Sequence, residues 1–347
     1  MLYLGNKKVT PMLYVKGPSG DKYGININAV LGDVDENGVL QKTTAQQELK
    51  FTGVKSLSDN VFYYGFYQNS GISSVDFDTV ESIGTRSLHY AFYESPNISR
   101  VDFPHLTTVG EYGMYYTFEK CPNITSVSLP LLENITKYSL GHAFYKCENL
   151  LSVELPSLKT IPDYGMSTAF GYCSNITSIS LPLLERVGYQ GLMDTFDGTN
   201  ISTFTLPSLT TIDERGLYSA LADNYNMTSV SFPMLKTAGK LAFSSCFHMT
   251  NDKSTLTSVE FPMLETIGDN CFNSTFYQCS KIPSISFPSL TSVQANSFGA
   301  STYNYAFQKC RKLTEIHFRS DMQETISAMS GYADKWGATN ATIYFDL

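Results

Sequence analysis

Charged residues are scarce in this chain, and no basic cluster is present. Lys and Arg number 24 and Asp and Glu 32 among 347 residues, so 16% of the chain is charged and the net charge is −8. Nucleic acids and anionic membranes bind clustered Lys and Arg, and we expect neither as a partner. No apolar run approaches the roughly 20 residues that span a bilayer, so membrane insertion is not expected. With 42% hydrophobic residues, the chain can still bury a large core.

Proline marks a repeat along most of the chain. Eight prolines follow a Leu or Phe at successive spacings of 26, 26, 26, 25, 26, 29 and 26 residues: Pro104, Pro130, Pro156, Pro182, Pro207, Pro233, Pro262 and Pro288. A period in the twenties is typical of solenoids, in which each repeat packs only on its neighbours.

Each repeat follows one template, seen in the segments Ile124 to Pro130 and Ser139 to Phe144. In the first segment, apolar residues two positions apart predict a short strand with one buried face, and the proline ends it. In the second, apolar residues at i, i+1, i+4 and i+5 predict one or two helical turns against a core. We therefore predict an α/β repeat solenoid, a right-handed leucine-rich-repeat superhelix of about ten 26-residue strand–turn–short-helix coils with non-repeat caps.

The IGxxxF…AFxxC…NLTSVxLP pattern of these repeats resembles the BspA-like leucine-rich repeats of bacterial surface proteins, over roughly residues 51–319. The resemblance implies a non-catalytic binding or adhesion protein, at the cell surface or extracellular, that presents its repeats to a host or cell-envelope ligand, either a protein or a glycan. Residues 1–20 contain no continuous apolar segment typical of a secretory signal peptide. A prophage tail or virion-associated protein, structural or receptor-recognising, is therefore the alternative.

Three regions are expected: an N-terminal β-rich cap at 1–50, the leucine-rich-repeat solenoid at 51–319 and a C-terminal helix–strand cap at 320–347. Segments Leu2 to Leu4 and Met12 to Val15 are predicted strands. At the other end, the spacing from Ser320 to Gln323 is typical of a capping box, so a helix to about Ser330 is expected. A last strand at Thr342 to Phe345 follows, and Trp336, the only tryptophan, is expected to plug the final repeat.

One segment resembles a calcium site. Asp33, Asp35 and Asn37, followed by Gly38, match the first half of a calcium-binding loop. The twelfth position is Thr44, which cannot supply the bidentate carboxylate. A hairpin turn at Asn37 and Gly38 is therefore the favoured interpretation, with calcium as the alternative.

The cysteines and histidines do not predict catalysis. The seven cysteines form no CxxC pair for zinc; Cys121, Cys147 and Cys173 recur at one repeat position, which predicts buried free thiols. The five histidines occupy different repeat positions, and no GxSxG, P-loop or HExxH motif occurs. We expect no enzyme, no metal and no cofactor.

Two sets of polar residues are candidates for ligand binding. The exposed strand positions carry mainly hydroxyls, which could bond an extended or glycan partner, or merely suit a curved surface. These candidates are Ser126, Ser128, Ser178 and Ser180, with Glu154 in the same row. Tyrosines concentrate in the first repeats, where amphipathic rings could stack on sugars or contact a protein, or simply pack half-buried. These candidates are Tyr90, Tyr112, Tyr115 and Tyr116. The oligomeric state is not predicted.

Overall fold

Each repeat forms one coil of a β-solenoid, and every coil has three faces. The computed structural model describes residues 12–16, 22–26, 47–50 and 54–347, and about 11 coils of about 26 residues stack along one axis. The prediction of a leucine-rich-repeat solenoid is therefore confirmed. The candidate calcium segment around Asp33 lies outside the described residues, as does the predicted strand Leu2 to Leu4.

The first face is built from parallel strands that end just before or near the repeat proline. Its strands are Gln47–Lys50, Ile72–Asp76, Arg100–Asp102, Val127–Ser128, Ser152–Glu154, Ser178–Ser180, Thr203–Thr205, Ser229–Ser231, Ser258–Glu260, Ser284–Phe287, Glu315–Phe318 and Thr342–Phe345. Equivalent residues of successive coils lie side by side, as Val127, Val153 and Ile179 do. Since side chains alternate along a strand, the apolar residue of each coil enters the core and its polar neighbours face outward.

The second face consists of two-residue strands that follow each proline turn. They are Ser56–Leu57, Ser82–Ile83, Thr108–Val109, Asn134–Ile135, Thr160–Ile161, Arg186–Val187, Thr211–Ile212, Thr237–Ala238 and Thr266–Ile267. These strands also pair in parallel, and the second residue of each is buried. The sequence pattern indicates the buried apolar position after each proline, but it did not predict a strand there.

The third face is a run of turns, where a short helix was expected. It comprises residues 60–68, 86–94, 112–120, 138–146, 164–172, 190–198, 215–223, 241–249 and 270–278. A left-handed residue recurs every fourth position, as at Tyr112, Tyr116 and Lys120, with φ of 54°, 58° and 57°. Alternate N–H groups then donate to the next coil, as from Met114 to the Ser139 carbonyl at 2.8 Å. The other N–H groups donate to the carbonyl three residues earlier, as from Tyr115 to Tyr112 at 3.2 Å, so the backbone is satisfied by turns and by bonds between coils instead of by a helix.

The core is a continuous row of apolar side chains along the axis. Phenylalanines stack in successive coils with ring centroids 5.3–5.9 Å apart, and they are Phe92, Phe118, Phe144, Phe170 and Phe196. All five are fully buried, and each burial stabilises the fold by about 1.5–3 kcal/mol. The apolar side chains of each coil are covered by those of the coils on either side, so no coil can bury its apolar face alone.

Trp336 closes the C-terminal end of this core, as predicted. Its ring is fully buried 4.7 Å from the ring of Phe298, and its carbonyl accepts the N–H of Phe307 at 3.0 Å. The surrounding elements are the 3₁₀ helices Ser320–Met322 and Lys335–Gly337 and the α-helix Gln323–Ser327, which is shorter than expected. The predicted capping box does not form, since neither helix N-cap makes a side-chain hydrogen bond. The last strand, Thr342–Phe345, matches the prediction.

Two antiparallel strands, Met12–Lys16 and Lys22–Asn26, are the other described elements. The first confirms the strand predicted from Met12 to Val15. They lie within the region assigned to the N-terminal cap.

Candidate functional site

The tyrosine candidates lie together on the third face of the first described coils. This tyrosine face comprises Tyr63, Tyr64, Tyr67, Tyr90, Tyr93, Tyr112, Tyr115, Tyr116, Tyr138, Tyr145, Tyr164 and Tyr172, with His89 and His142. Two parallel ring stacks, which we call columns, organise it. Both columns use left-handed positions, so the backbone turns aim one ring per coil at the same place.

The Tyr116 column consists of Tyr64, Tyr90, Tyr116 and His142. Successive ring centroids are 4.7, 4.6 and 4.4 Å apart, with interplanar angles of 17°, 3° and 16°. A non-glycine residue in the left-handed region costs of order 1 kcal/mol or more. An aromatic pair contributes about 0.5–1.5 kcal/mol, so stacking offsets much of that strain.

The Tyr112 column consists of Tyr112, Tyr138 and Tyr164, with centroid separations of 4.7 and 4.5 Å. Two cations lie over its rings. The Arg86 guanidinium is 5.3 Å from the centroid of Tyr112, and the Lys137 ammonium is 5.1 Å from Tyr138 and 5.5 Å from Tyr164. Cation–π contacts of this kind stabilise by about 0.5–1 kcal/mol at exposed sites.

Stacking decides which part of each ring a ligand can reach. Tyr90 lies between the rings of Tyr64 and Tyr116, and Tyr116 lies between Tyr90 and His142. Both faces of these two rings are therefore covered, and a ligand meets their edges and hydroxyls. This differs from the expected mode, in which sugars stack on the ring faces.

Tyr115 fills the space between the two columns. It meets Tyr112 and Tyr116 edge-on, at centroid distances of 5.3 and 4.4 Å. The neighbouring coil has Gly141 there, and a Cβ on Gly141 would lie 2.5 Å from the Tyr115 ring. Tyr115 is thus half-buried packing as well as part of the face.

The hydroxyls of Tyr90, Tyr116 and Tyr164 remain protonated near neutral pH, because the pKa of each is raised. Burial, aided by neighbouring tyrosines, raises the pKa of Tyr90 to about 12 and that of Tyr116 further. Burial and the neighbouring Tyr189 likewise raise the pKa of Tyr164 to about 12. A protonated phenol can donate a hydrogen bond, so these three tyrosines offer neutral donors.

Glu119 is a buried acid and was not among the residues predicted from the sequence. It is 6% exposed, and its Oε2 lies 3.6 Å from Nδ1 of His142. Among the described residues, neither atom has a hydrogen-bond partner. Burial raises the pKa of Glu119 to about 7, against the lowering effect of Lys120 and Lys146, and burial lowers the pKa of His142 to about 4. The sequence signal was a carboxylate between two tyrosines, Tyr93 and Tyr145, that hold the same repeat position in the neighbouring coils.

The strand-face candidates form a separate row on the first face. Ser128, Glu154 and Ser180 lie side by side in register on adjacent strands. Ser126 and Ser178 are, like these three, exposed. The structure therefore brings the candidates into two groups on different faces of the coil.

The cysteine prediction is confirmed: all seven are free and buried. Each thiol in the row Cys121, Cys147 and Cys173 donates to a backbone carbonyl of the preceding coil, at 3.0–3.1 Å. Burial raises the pKa of Cys121 to about 12, so the nucleophilic thiolate is suppressed.

Within the described part of the chain, no group of three or more His, Cys, Asp or Glu side chains is arranged to hold a metal ion. No helix in that part is long and apolar enough to cross a membrane.

Solved structures include several that are similar to this chain. An internalin (inlF) from Listeria monocytogenes matches at 12% identity with a TM-score of 0.31, over 92% of this chain and 86% of that one. The Toll–Spatzle complex of Drosophila matches at 12% identity with a TM-score of 0.30, over 91% of this chain and 48% of that one. A TLR13–ssRNA13 complex matches at 9% identity with a TM-score of 0.25, over 86% and 53%. No curated protein matches the sequence.

The family comparison covers most of the chain. The sequence matches the BspA type leucine rich repeat region in six copies, over residues 55–187, 88–219, 142–275, 193–304 and 251–329. Leucine-rich-repeat proteins typically bind other proteins. The repeat template, the solenoid and this match agree, and the chain belongs to the BspA-type leucine-rich-repeat family.

Proposed function

We propose that this chain is a non-catalytic adhesion protein that binds a protein or glycan ligand of a cell surface through its tyrosine face. The observation that carries the proposal is the loss of aromatic side chains along the Tyr116 column in the later coils. After His142, the same left-handed position is held by Thr168, Asp194, Ser219, Ser245 and Ser274. Since these coils keep the same backbone without a ring, folding alone does not require the aromatic residues.

The chemistry of the face suits recognition. Tyrosine is enriched at protein interfaces, where its ring supplies contact area and its hydroxyl a hydrogen bond. Tyr63 and Tyr64 are 49% and 44% exposed, which is unusual for large aromatic side chains. The stacked rings are also held in place before binding, so little side-chain freedom is lost on association.

The test compares the two faces that carry candidates. One variant combines Tyr64→Ser, Tyr90→Ser and Tyr116→Ser, which installs the side chain that later coils carry at this position. The matched control combines Ser128→Ala, Glu154→Ala and Ser180→Ala on the first face. Both variants and the parent chain are applied to a glycan and mucin array and to an array of extracellular proteins, after circular dichroism has established that each variant is folded.

We expect the tyrosine variant to lose at least tenfold in binding signal and the first-face variant to keep it. Loss confined to the first-face variant would move the site to that face and overturn the proposal. Equal binding by all three chains, or no binding by the parent to either array, would also overturn it.

A further inference from the structure

We propose that the Tyr112 column, with Arg86 and Lys137, binds a linear acidic polysaccharide in which sugars that carry a carboxylate alternate with uncharged sugars. This inference rests on the proposed function and names the ligand class for one part of the same face. Four observations carry it: the unpaired cations, their spacing, the acid between them and the ring edges.

Arg86 and Lys137 differ from most other cations near these coils. Lys146 also lacks an ion pair among the described residues, but it lies over Tyr145 and Tyr172, outside the Tyr112 column. Four neighbouring cations are held in ion pairs with carboxylates: Lys55 with Glu81, Lys120 with Glu94, Arg100 with Asp102 and Arg186 with Asp213. Arg86 and Lys137 are exposed and lie over tyrosine rings, and no carboxylate of the described residues lies within ion-pair distance of either. In a chain of net charge −8, two unpaired cations at one column are available to an anionic ligand.

Arg86 and Lys137 belong to coils that are two apart in the stack, and this separation of the coils indicates the kind of ligand. Arg86 reaches over the ring of Tyr112, and Lys137, two coils further on, reaches over Tyr138 and Tyr164. Adjacent strands are separated by about 4.8 Å, so two coils span about 9.6 Å. One coil approximates the length of one sugar in an extended polysaccharide, and two coils that of a disaccharide. Side chains on one side of an extended peptide recur about every 6.8 Å, which fits neither spacing.

The intervening coil carries the opposite charge. Glu111 is exposed and directly precedes Tyr112 in the coil between the two cations. A carboxylate there would repel an anion but accept hydrogen bonds from the hydroxyls of an uncharged sugar. A second acid, Asp163, directly precedes Tyr164 in the coil after Lys137. Its Oδ1 accepts a hydrogen bond from the N–H of Tyr189 at 3.0 Å. Charge alternates along the column as it does along a polysaccharide of alternating acidic and neutral sugars.

The rings complete the site. Stacking within the Tyr112 column covers the faces of Tyr138 and leaves ring edges toward the ligand. The edge of an aromatic ring is the positive part of its quadrupole, and a guanidinium pairs with a carboxylate through two parallel hydrogen bonds. Edges, phenols and the two cations all favour an acidic chain that lies along the solenoid axis.

The experiment measures binding of hyaluronan decasaccharide by isothermal titration calorimetry at low salt. The probe is compared with its carboxyl methyl ester and with a heparin decasaccharide. The site variant combines Arg86→Gln and Lys137→Gln. The matched control combines Lys236→Gln and Lys240→Gln, which removes two exposed cations from a later coil and changes the net charge equally.

We expect the parent and the control variant to bind hyaluronan with similar affinity, and the site variant and the methyl ester to bind at least tenfold more weakly. Equal losses in both variants, or equal binding of the ester, would overturn the inference, as would preference for heparin. Absence of polysaccharide binding, with the array signals of the tyrosine face intact, would refute this inference alone. Absence of both would refute the proposed function as well.

Discussion

Replacing Glu119 by glutamine should stabilise the protein at alkaline pH. The side chain is buried without a hydrogen-bond partner for Oε2 among the described residues, and burial raises its pKa from 4.5 to about 7. Ionising this carboxyl in the native state is therefore harder than in the unfolded chain. That difference corresponds to about 3 kcal/mol of lost stability above pH 7. Glutamine keeps the shape and removes the charge.

The direction with pH follows from the same values. Below pH 4.5 the Glu119 carboxyl is protonated in both the folded and the unfolded state, so no stability is lost through its ionisation. The parent and Glu119→Gln should therefore differ little in the free energy of unfolding there. As pH rises from 4.5 through about 7, the unfolded chain ionises first and the parent loses stability, whereas the glutamine variant does not. His142 acts in the opposite sense: its pKa of about 4 is below its ordinary 6.5, so its contribution is complete above pH 6.5 and is lost as pH falls toward 4. Because His142 is present in both proteins, its effect largely cancels in the comparison.

The assay is urea unfolding, followed by circular dichroism at pH 4.5, 6 and 8, of the parent, Glu119→Gln and the control Glu133→Gln, whose side chain is exposed. The advantage of Glu119→Gln over the parent should grow by about 3 kcal/mol between pH 4.5 and pH 8, and Glu133→Gln should show no such growth. A pH-independent difference between Glu119→Gln and the parent would refute the argument from burial.

Two further outcomes are expected from the described geometry. Thr168 has a left-handed backbone with φ of 58°, so Thr168→Gly should raise the free energy of unfolding by about 1 kcal/mol. The control Thr177→Gly should not raise it. A lower melting temperature for Thr168→Gly than for the parent would contradict the expected relief of backbone strain. The seven buried cysteines should react with Ellman's reagent only after unfolding in urea, and rapid reaction of any thiol in the native protein would show that the row is accessible.

The period and the strands were predictable because their signals repeat in every coil. The alternation around Val127 predicts a buried strand position, and the proline after Leu129 predicts the end of the strand. The structure has both. The third face was not predictable in the same way. Apolar residues from Leu140 to Phe144 span too few positions to distinguish a helical period of 3.6 from a turn period of 4.

The left-handed positions also gave no local signal. Such positions ordinarily favour glycine or asparagine, whereas this chain has Tyr112, Tyr116 and Lys120 there. Hydrogen bonds to the next coil impose the conformation, and that coil is distant in sequence. For the same reason, the clustering of tyrosines was visible in the sequence, but the covering of their faces and the burial of Glu119 were not.

The hydrogen bonds between coils on the third face all point in one direction. In coil after coil, the N–H donates toward the C-terminal end and the carbonyl accepts from the N-terminal side, as in the bonds from Phe118 to Ala143 and from Phe144 to Ala169. Peptide dipoles aligned in this way add, as they do in an α-helix, but here the positive end lies at the C-terminal end of the stack. The third face is thus electrically polar along the solenoid axis, and the carbonyl of Trp336, which receives the N–H of Phe307, pairs with one of the last donors of that face.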